Sequence, residues 1–281
     1  MTPRVAVTGA SGQLGTAFAK LLPEATLLTR ADLNLADVAS IVPTLDELAP
    51  ATLINCAAYT AVDAAETDEQ TAFTVNAAAV EAMAAWCASH SARFVTYSTD
   101  YVFDGTAERP YIESDPTAPI NAYGRTKAAG ERLALAANPQ SLIVRTSWLI
   151  SGTHPNFIST VLERAGKGTV QVVDDQWGCP TIADDLAVAT LRTLEADATG
   201  ILHLTNQGVT TWYGVARRAV ELAGLDPDLV QRTTSDAFPR PAPRPHWSVL
   251  GSERLAELDI EPLTLWEQSL PYIVQAIIDW P

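Results

Sequence analysis

The chain has 281 residues, 47% of them hydrophobic and 18% charged, with a formal net charge of −15 at pH 7. That length suits one large domain, or a main domain with a smaller partner, and the acidic balance excludes nucleic acid as a partner, since such binders need a basic face to displace counterions. Apolar runs such as RVAV and TLINCAA are too short to span a bilayer and the N-terminus lacks a signal-peptide layout, so a cytoplasmic protein with no membrane partner is expected.

The first strand, RVAVTG (residues 4–9), runs into TGASGQLG and then the helical QLGTAFAKLL (13–22). Gly9, Gly12 and Gly15 form GxxGxxG, a variant of the dinucleotide fingerprint. Directly after the first strand of an alternating fold, such glycines let the backbone turn tightly and approach a pyrophosphate seated on the N–H groups of a helix N-terminus. A small anion bound this way is compatible with an acidic protein.

The second strand, ATLLTR (25–30), ends in Arg30 with Asp32 just beyond. An acidic residue here holds the ribose 2′-hydroxyl of NAD, whereas an Arg accommodates the 2′-phosphate of NADP. Arg30 stands closer to the strand end, which favours NADPH, with NADH as the second choice. The helix VASIVPTLDELA (38–49), the strand TLINCAA (52–58) and the helix TAFTVNAAAVEAMAAWCAS (71–89) follow. Met83 and Trp86, at helical spacing, read as core, and Asp63 and Glu66 as helix-start caps or solvated carboxylates.

The fourth strand, RFVTYST (93–99), enters YSTDYVFDG. Hydroxyls at the C-terminal end of such a strand face the ligand crevice of an open α/β sheet; Ser98 and Thr99 point to opposite faces, and spacing alone does not choose between them. The helix YGRTKAAGERLALAA (123–137) then places Tyr123 and Lys127 four apart, on one face. With seven Tyr and three Lys (Lys20, Lys127, Lys167) in the chain, chance gives roughly 0.07 such pairs. A phenol is a poor acid–base group near neutral pH; an ammonium about 4 Å away, at an effective dielectric near 20, favours the phenolate by up to about 4 kcal/mol before desolvation. Tyr123 is therefore the candidate proton donor to a carbonyl receiving hydride, with Lys127 tuning it and holding the cofactor ribose.

The fifth strand, SLIVRTSW (141–148), completes a set of nearly continuous apolar runs, as burial on both faces by helices requires. The fold class is α/β, a Rossmann-type doubly wound parallel sheet. Beyond Trp148 the pattern loosens into a helix (156–166), the strand VQVVDD (170–175), a helix (183–196), the strand ILHLTN (201–206) and a helix (211–224). FPRPAPRP (238–245) has four prolines in eight residues, which makes it an extended, stiff connection carrying Arg240 and Arg244. In a protein short of Lys, these two are candidates for holding a substrate diphosphate. Cys56, Cys87 and Cys179 form no CxxC pair, and the four His show no ligand spacing, so free, mostly buried thiols and no metal site are expected. Trp177 and Cys179 read most simply as core.

TGASGQLG, INCAAYTAVDAAE, STDYVFDG, AYGRTKAAGE, RTSW, DDQWGCPT and FPRPAPRP together, spanning residues 8–245, resemble the extended short-chain dehydrogenase/reductases and, among them, the dTDP-4-dehydrorhamnose reductases. GxxGxxG and YxxxK mark the superfamily; STDYVFDG, RTSW and DDQWGCPT are more specific. The resemblance implies transfer of hydride from NADPH to the C4 ketone of dTDP-4-dehydro-β-L-rhamnose, with Thr99 as the catalytic hydroxyl beside Tyr123 and Lys127. It implies cofactor contacts from Gly9, Ser11, Gly12, Gln13, Leu14, Arg30, Asp32, Leu33, Ala57, Ala58, Tyr59 and Asn76, and a sugar pocket lined by Thr60, Val62, Tyr101 and Trp148.

It further implies a smaller C-terminal substrate-binding domain: residues 1–145, with 169–198, in the dinucleotide-binding part, and 146–168 with 199–281 in the substrate part. Some relatives form a homodimer through Mg2+ held by an acidic residue two positions after the third glycine; Ala17 stands there, so no metal is expected by that route. Epimerases, dehydratases and other nucleotide-sugar 4-ketoreductases share the fold and the YxxxK pair, as does a non-catalytic regulatory subunit of methionine adenosyltransferase. The dehydratases follow the catalytic Thr with Asp-Glu, whereas here Asp100 is followed by Tyr101. Trp148, an aromatic able to pack on substrate, favours the reductase over the regulatory reading.

Overall fold

In the computed structural model, which describes residues 4–280, the five apolar runs of the first half all become strands of one sheet. β1 (Val5–Thr8) leads into α1 (Gln13–Leu21) and β2 (Thr26–Leu28) into α2 (Ile41–Leu48). β3 (Thr52–Asn55) is followed by α3 (Val62–Ala65), α4 (Glu69–Phe73) and α5 (Ala79–Ser89), and β4 (Arg93–Thr99) by α6 (Ala122–Ala137) and β5 (Leu142–Thr146). Beyond these come β6 (Leu149–Ile150), α7 (Phe157–Ala165), β7 (Val170–Val173), β8 (Trp177–Gly178), β9 (Thr181–Ile182), α8 (Ala183–Glu195) and β10 (Gly200–His203). The described chain closes with β11 (Thr210–Thr211), α9 (Trp212–Leu222), β12 (Val230–Thr233), α10 (Arg254–Glu257) and α11 (Trp266–Ile278).

The main sheet has the order β2-β1-β3-β4-β5-β10, every pair parallel. From β1 the chain crosses to β2 on one side, then returns over β1 to β3 on the other. That reversal opens a crevice beyond the strand ends. β3 and β5 are buried along their whole length, which two helical layers make possible. Val7, Phe18, Val144, Leu186 and Leu202 form the core under α1 and α8; Ile41, Leu53, Met83, Phe94 and Ile143 form the one under α2, α5 and α6. A second body packs α7, α9 and α11 around Ile150, Val215 and Leu270, with the parallel pair β7/β12 against α7 and α9.

The division between the two parts differs from the sequence expectation. β7 alternates buried and exposed residues, as a sheet covered on one face does, and pairs with β12 outside the main sheet. β10, assigned to the substrate part, is instead the sixth main-sheet strand, with His203 beside Arg145. Leu255, Ile260 and Leu263 also pack into the α1/α8 core. Residues 1–3 and 281, included in the expected limits, lie outside the described residues.

Met83 and Trp86 are core, the indole donating to Asp46 Oδ1 at 2.7 Å, and Cys179 is buried. Trp177 is not core: it is 43% exposed, because β8 is a two-residue ladder at the surface where only one face of the indole finds cover, from Trp247 at a ring distance of 6.4 Å. The three thiols are free, Cys87 and Cys179 buried and Cys56 half-buried. Among the described residues, no helix is long and apolar enough to cross a membrane and no cluster of three His, Cys, Asp or Glu could hold a metal ion.

Candidate active site

A cavity of about 550 Å³ lies at the C-terminal ends of β1, β3, β4 and β5, where the strand order reverses. The Gly9–Leu14 segment forms its floor, except that Ala10 is not among the lining residues. Gly9 has φ +67, and a Cβ there would sit 2.6 Å from Ala57 N, so only glycine lets the β1 and β3 turns meet. α1 starts at the cavity with Gly12 as N-cap and no side-chain cap, leaving its leading N–H groups for an anion. These features fit the diphosphate of a dinucleotide.

At the rim, Arg30 lines the cavity and is exposed, and Leu33 lines it while buried. Asp32 does not line it. Its carboxylate accepts from the Thr29 hydroxyl at 2.7 Å and the Thr29 N–H at 2.8 Å, which closes the turn after β2 and holds its pKa below the ordinary carboxylate range. Ala57, Ala58 and Thr60 line the cavity, with Tyr59 and Asn76 standing behind. Asn76 Oδ1 accepts from the Tyr59 N–H at 2.9 Å, and its amide donates to Tyr59 O and to Thr126 Oγ1, both at 3.1 Å. This clamp depends on a π-helical turn over Thr74–Ala78 between α4 and α5, an irregularity that often marks functional sites. A Cβ on Gly130 would collide with Asn76 O, so a glycine lets α6 press against this turn.

α6 begins at Asn121, whose side chain caps Gly124 N at 2.8 Å while Glu66 Oε1 accepts from Ala122 N at 2.7 Å. Tyr123 and Lys127 therefore lie in the first turns, and both line the cavity with Thr99 and Ser98. Lys127 Nζ donates to Tyr97 O at 2.6 Å. Burial lowers its pKa to about 8, with Glu131, one turn further along, supporting the charge. Tyr123 departs from the expected electrostatics: burial and the neighbouring Asp100 push its pKa well above the ordinary phenol value, and only the Thr99 hydroxyl pulls it down. Desolvation outweighs the pull of that hydroxyl, and Lys127 is not among the groups that lower the pKa, so the phenol is held protonated, the form a proton donor needs.

On the far side, Trp148 lines the cavity. Its backbone sits at φ 47, an uncommon conformation for a bulky residue, and its ring stacks on Trp212 at 3.8 Å. Tyr101 and Val62 do not line the cavity; the Tyr101 ring meets Tyr123 edge-on at 5.9 Å, and Val62 opens α3. Arg240 and Arg244 are also outside it. Arg244 Nη1 donates to Asp63 Oδ1 at 2.7 Å, and Arg240 Nη1 lies 3.8 Å from Asp63 Oδ2, so Asp63, in the first turn of α3, is also an ion-pair partner. Asn121 Nδ2 donates to Pro243 O at 2.9 Å, which latches the Pro-rich segment to the start of α6.

Several lining residues escaped the sequence reading. His154 reaches back to Ser11 O through Nε2 at 2.9 Å, and Thr146 and Ser147 line the cavity at the end of β5. The position of RTSW at a strand's C-terminal end could have marked the two hydroxyls; nothing local marks His154.

A family model described as the RmlD substrate binding domain matches residues 3–278. The chain is 43% identical to the dTDP-4-dehydrorhamnose reductase of Streptomyces griseus, over 95% of this chain and 92% of that protein. It is also 43% identical to the dTDP-4-keto-6-deoxy-D-glucose reductase of Streptomyces niveus, over 96% of each. Among solved structures, the dTDP-4-dehydrorhamnose reductase of Bacillus anthracis in complex with NADP superposes with a TM-score of 0.92 at 31% identity, covering 97% of this chain and 99% of that one.

Proposed function

The chain belongs to the dTDP-4-dehydrorhamnose reductase family of the extended short-chain dehydrogenase/reductases, and from that premise we propose that it reduces the C4 ketone of dTDP-4-dehydro-β-L-rhamnose to dTDP-L-rhamnose with NADPH. The observation that carries the reading is one cavity that joins a glycine turn and helix N-terminus to Thr99, Tyr123 and Lys127. When bound, NADPH supplies the hydride that adds to C4. Gly9, Ser11, Gly12, Gln13 and Leu14 seat its diphosphate, Ala57 and Ala58 flank it, and Lys127 holds the ribose. Tyr123 gives its proton to the ketone oxygen as hydride arrives. The alkoxide formed there is a stronger base than a phenolate, so even a phenol with a raised pKa is acid enough. Thr99 orients the same oxygen, and Thr60 and the Trp148 slab shape the sugar site, with Tyr101 packed edge-on against Tyr123.

The test is consumption of NADPH by the pure protein given enzymatically prepared dTDP-4-dehydrorhamnose, with the sugar product identified. The kinship to a dTDP-4-keto-6-deoxy-D-glucose reductase gives a second reading, reduction of a related dTDP-4-keto sugar. A product of other configuration at C4, or preference for that ketone, would establish it. No NADPH oxidation with either sugar removes both.

Arg30, at the cavity rim, supports NADPH as the cofactor. Arg30→Ala is expected to weaken NADPH by about 1.5–3 kcal/mol, the range for a hydrogen bond to a charged group, and to leave NADH nearly unmoved; equal losses on titration would make Arg30 a plain surface residue. Arg244, anchored by Asp63 and near enough to bear on Tyr101, is the better placed of the two Pro-segment arginines for the substrate diphosphate. Arg244→Ala is expected to raise the substrate KM about tenfold or more with the NADPH constant unmoved. An unchanged KM in both Arg244→Ala and Arg240→Ala would remove the assignment.

A further inference from the structure

The Thr99 hydroxyl has one proton to give. In the structure it gives that proton to Asp100 Oδ1 at 2.8 Å while accepting from the Tyr101 N–H at 3.2 Å. Turned this way, it offers a ketone oxygen only a lone pair, and two acceptors repel. Asp100 is itself 2% exposed, and its second oxygen, Oδ2, is buried with no hydrogen-bond partner. A buried carboxylate with an unpaired oxygen is costly, and taking up a proton is its simplest relief.

We propose that Asp100 is a positioning residue for the reduction, its protonation reversing the Thr99–Asp100 hydrogen bond so that Thr99 donates to the substrate oxygen. The proposal rests on the reductase reading above. With a proton on Asp100, the carboxyl donates to Thr99 Oγ1, and the Thr99 proton is released toward the cavity that Thr99 lines. The oxygen then receives two donors, Tyr123 and Thr99, as charge develops on it.

The surroundings are consistent. The titratable groups that Asp100 bears on are Tyr101 in its own turn, Tyr123 from α6 and Cys179 from the segment before β9; all three are neutral in their ordinary state. The Arg244 guanidinium, which bears on the adjacent Tyr101, is engaged by Asp63. The Ser248 hydroxyl, close enough to help the ionised form, donates to Trp177 O. Burial accordingly raises Asp100 to about 6, with Ser248 and Thr99 offsetting only part of it. The working form is the protonated one, so the contribution is present below that pH and lost above it.

The measurement is kcat at saturating NADPH and substrate from pH 5 to 7.5, a range that ends below the Lys127 pKa of about 8 and in which titration of the cofactor phosphate does not enter through binding. The parent enzyme is expected to fall about tenfold or more through an apparent pKa near 6. In Asp100→Asn, whose amide donates to Thr99 at every pH, the fall should vanish and the rate at pH 7.5 should exceed that of the parent. Thr99→Val, with no hydroxyl to turn, should be slower and flat, and decides the matter if the Asn variant does not fold. A flat parent profile, a step that survives in Thr99→Val, or a folded Asp100→Asn that is slow at every pH overturns the proposal and leaves the reductase reading standing. A parent that oxidises no NADPH at any pH removes both.

Discussion

Tyr123→Phe is expected to lower turnover at least about 100-fold while NADPH binding stays close to that of the parent, since a positioned general acid is worth about that much or more. The phenol lies in the first turn of α6, half-buried, beside Thr99 in the cavity lining and with the Tyr101 ring edge-on to it. Removing one oxygen leaves the ring's packing in place, so the loss should fall on kcat, and kcat/KM should fall with it. Fluorescence titration with NADPH separates this outcome from a cofactor defect. Near-normal turnover would mean that another group delivers the proton.

The largest expected effect on stability is at Glu131, one turn beyond Lys127. Glu131 and Arg145 form a buried pair through two bonds of 2.9 and 2.7 Å, at 5% and 2% side-chain exposure. The guanidinium also lies 5.1 Å from the centre of the Phe103 ring and 3.4 Å from His203 Nε2. Glu131→Ala leaves Arg145 buried and unpaired between the main sheet and α6, which costs about 3–5 kcal/mol and should lower Tm by about 5–8 °C for a chain of this size. The same change withdraws the one charge that supports the Lys127 ammonium. Replacing both partners by apolar residues of similar volume should recover much of the loss. Thermal unfolding that shifts by less than about 1 kcal/mol in Glu131→Ala would show the pair to be solvated.

What the sequence discloses and what it hides divide along local and non-local lines. β1, β3, β4 and β5 are legible because strands covered on both faces must be continuous apolar runs, and Tyr123 and Lys127 because helical spacing alone brings them together. ILHL reads as a strand, but not as the sixth strand of the main sheet, since pairing to β5 depends on how the chain returns. The π-helical turn at Asn76 has no signature in TAFTVNAAAV; α6 packs closely against it at Gly130. The Asp63–Arg244 pair joins residues 181 positions apart, and the unpaired oxygen of Asp100 exists only once burial is known. Trp177 misleads because indoles are usually well buried, whereas here the residue lies on a surface ladder.

The proposed reaction delivers hydride to C4 of a dTDP-4-keto sugar with a proton from this chain. The most direct measurement uses NADPH deuterated at the transferring position, dTDP-4-dehydrorhamnose and NMR of the product. The expected result is dTDP-L-rhamnose with one deuterium at C4 from the parent enzyme, and almost none formed in the same time by Tyr123→Phe. Cofactor oxidation without label in the sugar, label at a carbon other than C4, or no oxidation at all would contradict it.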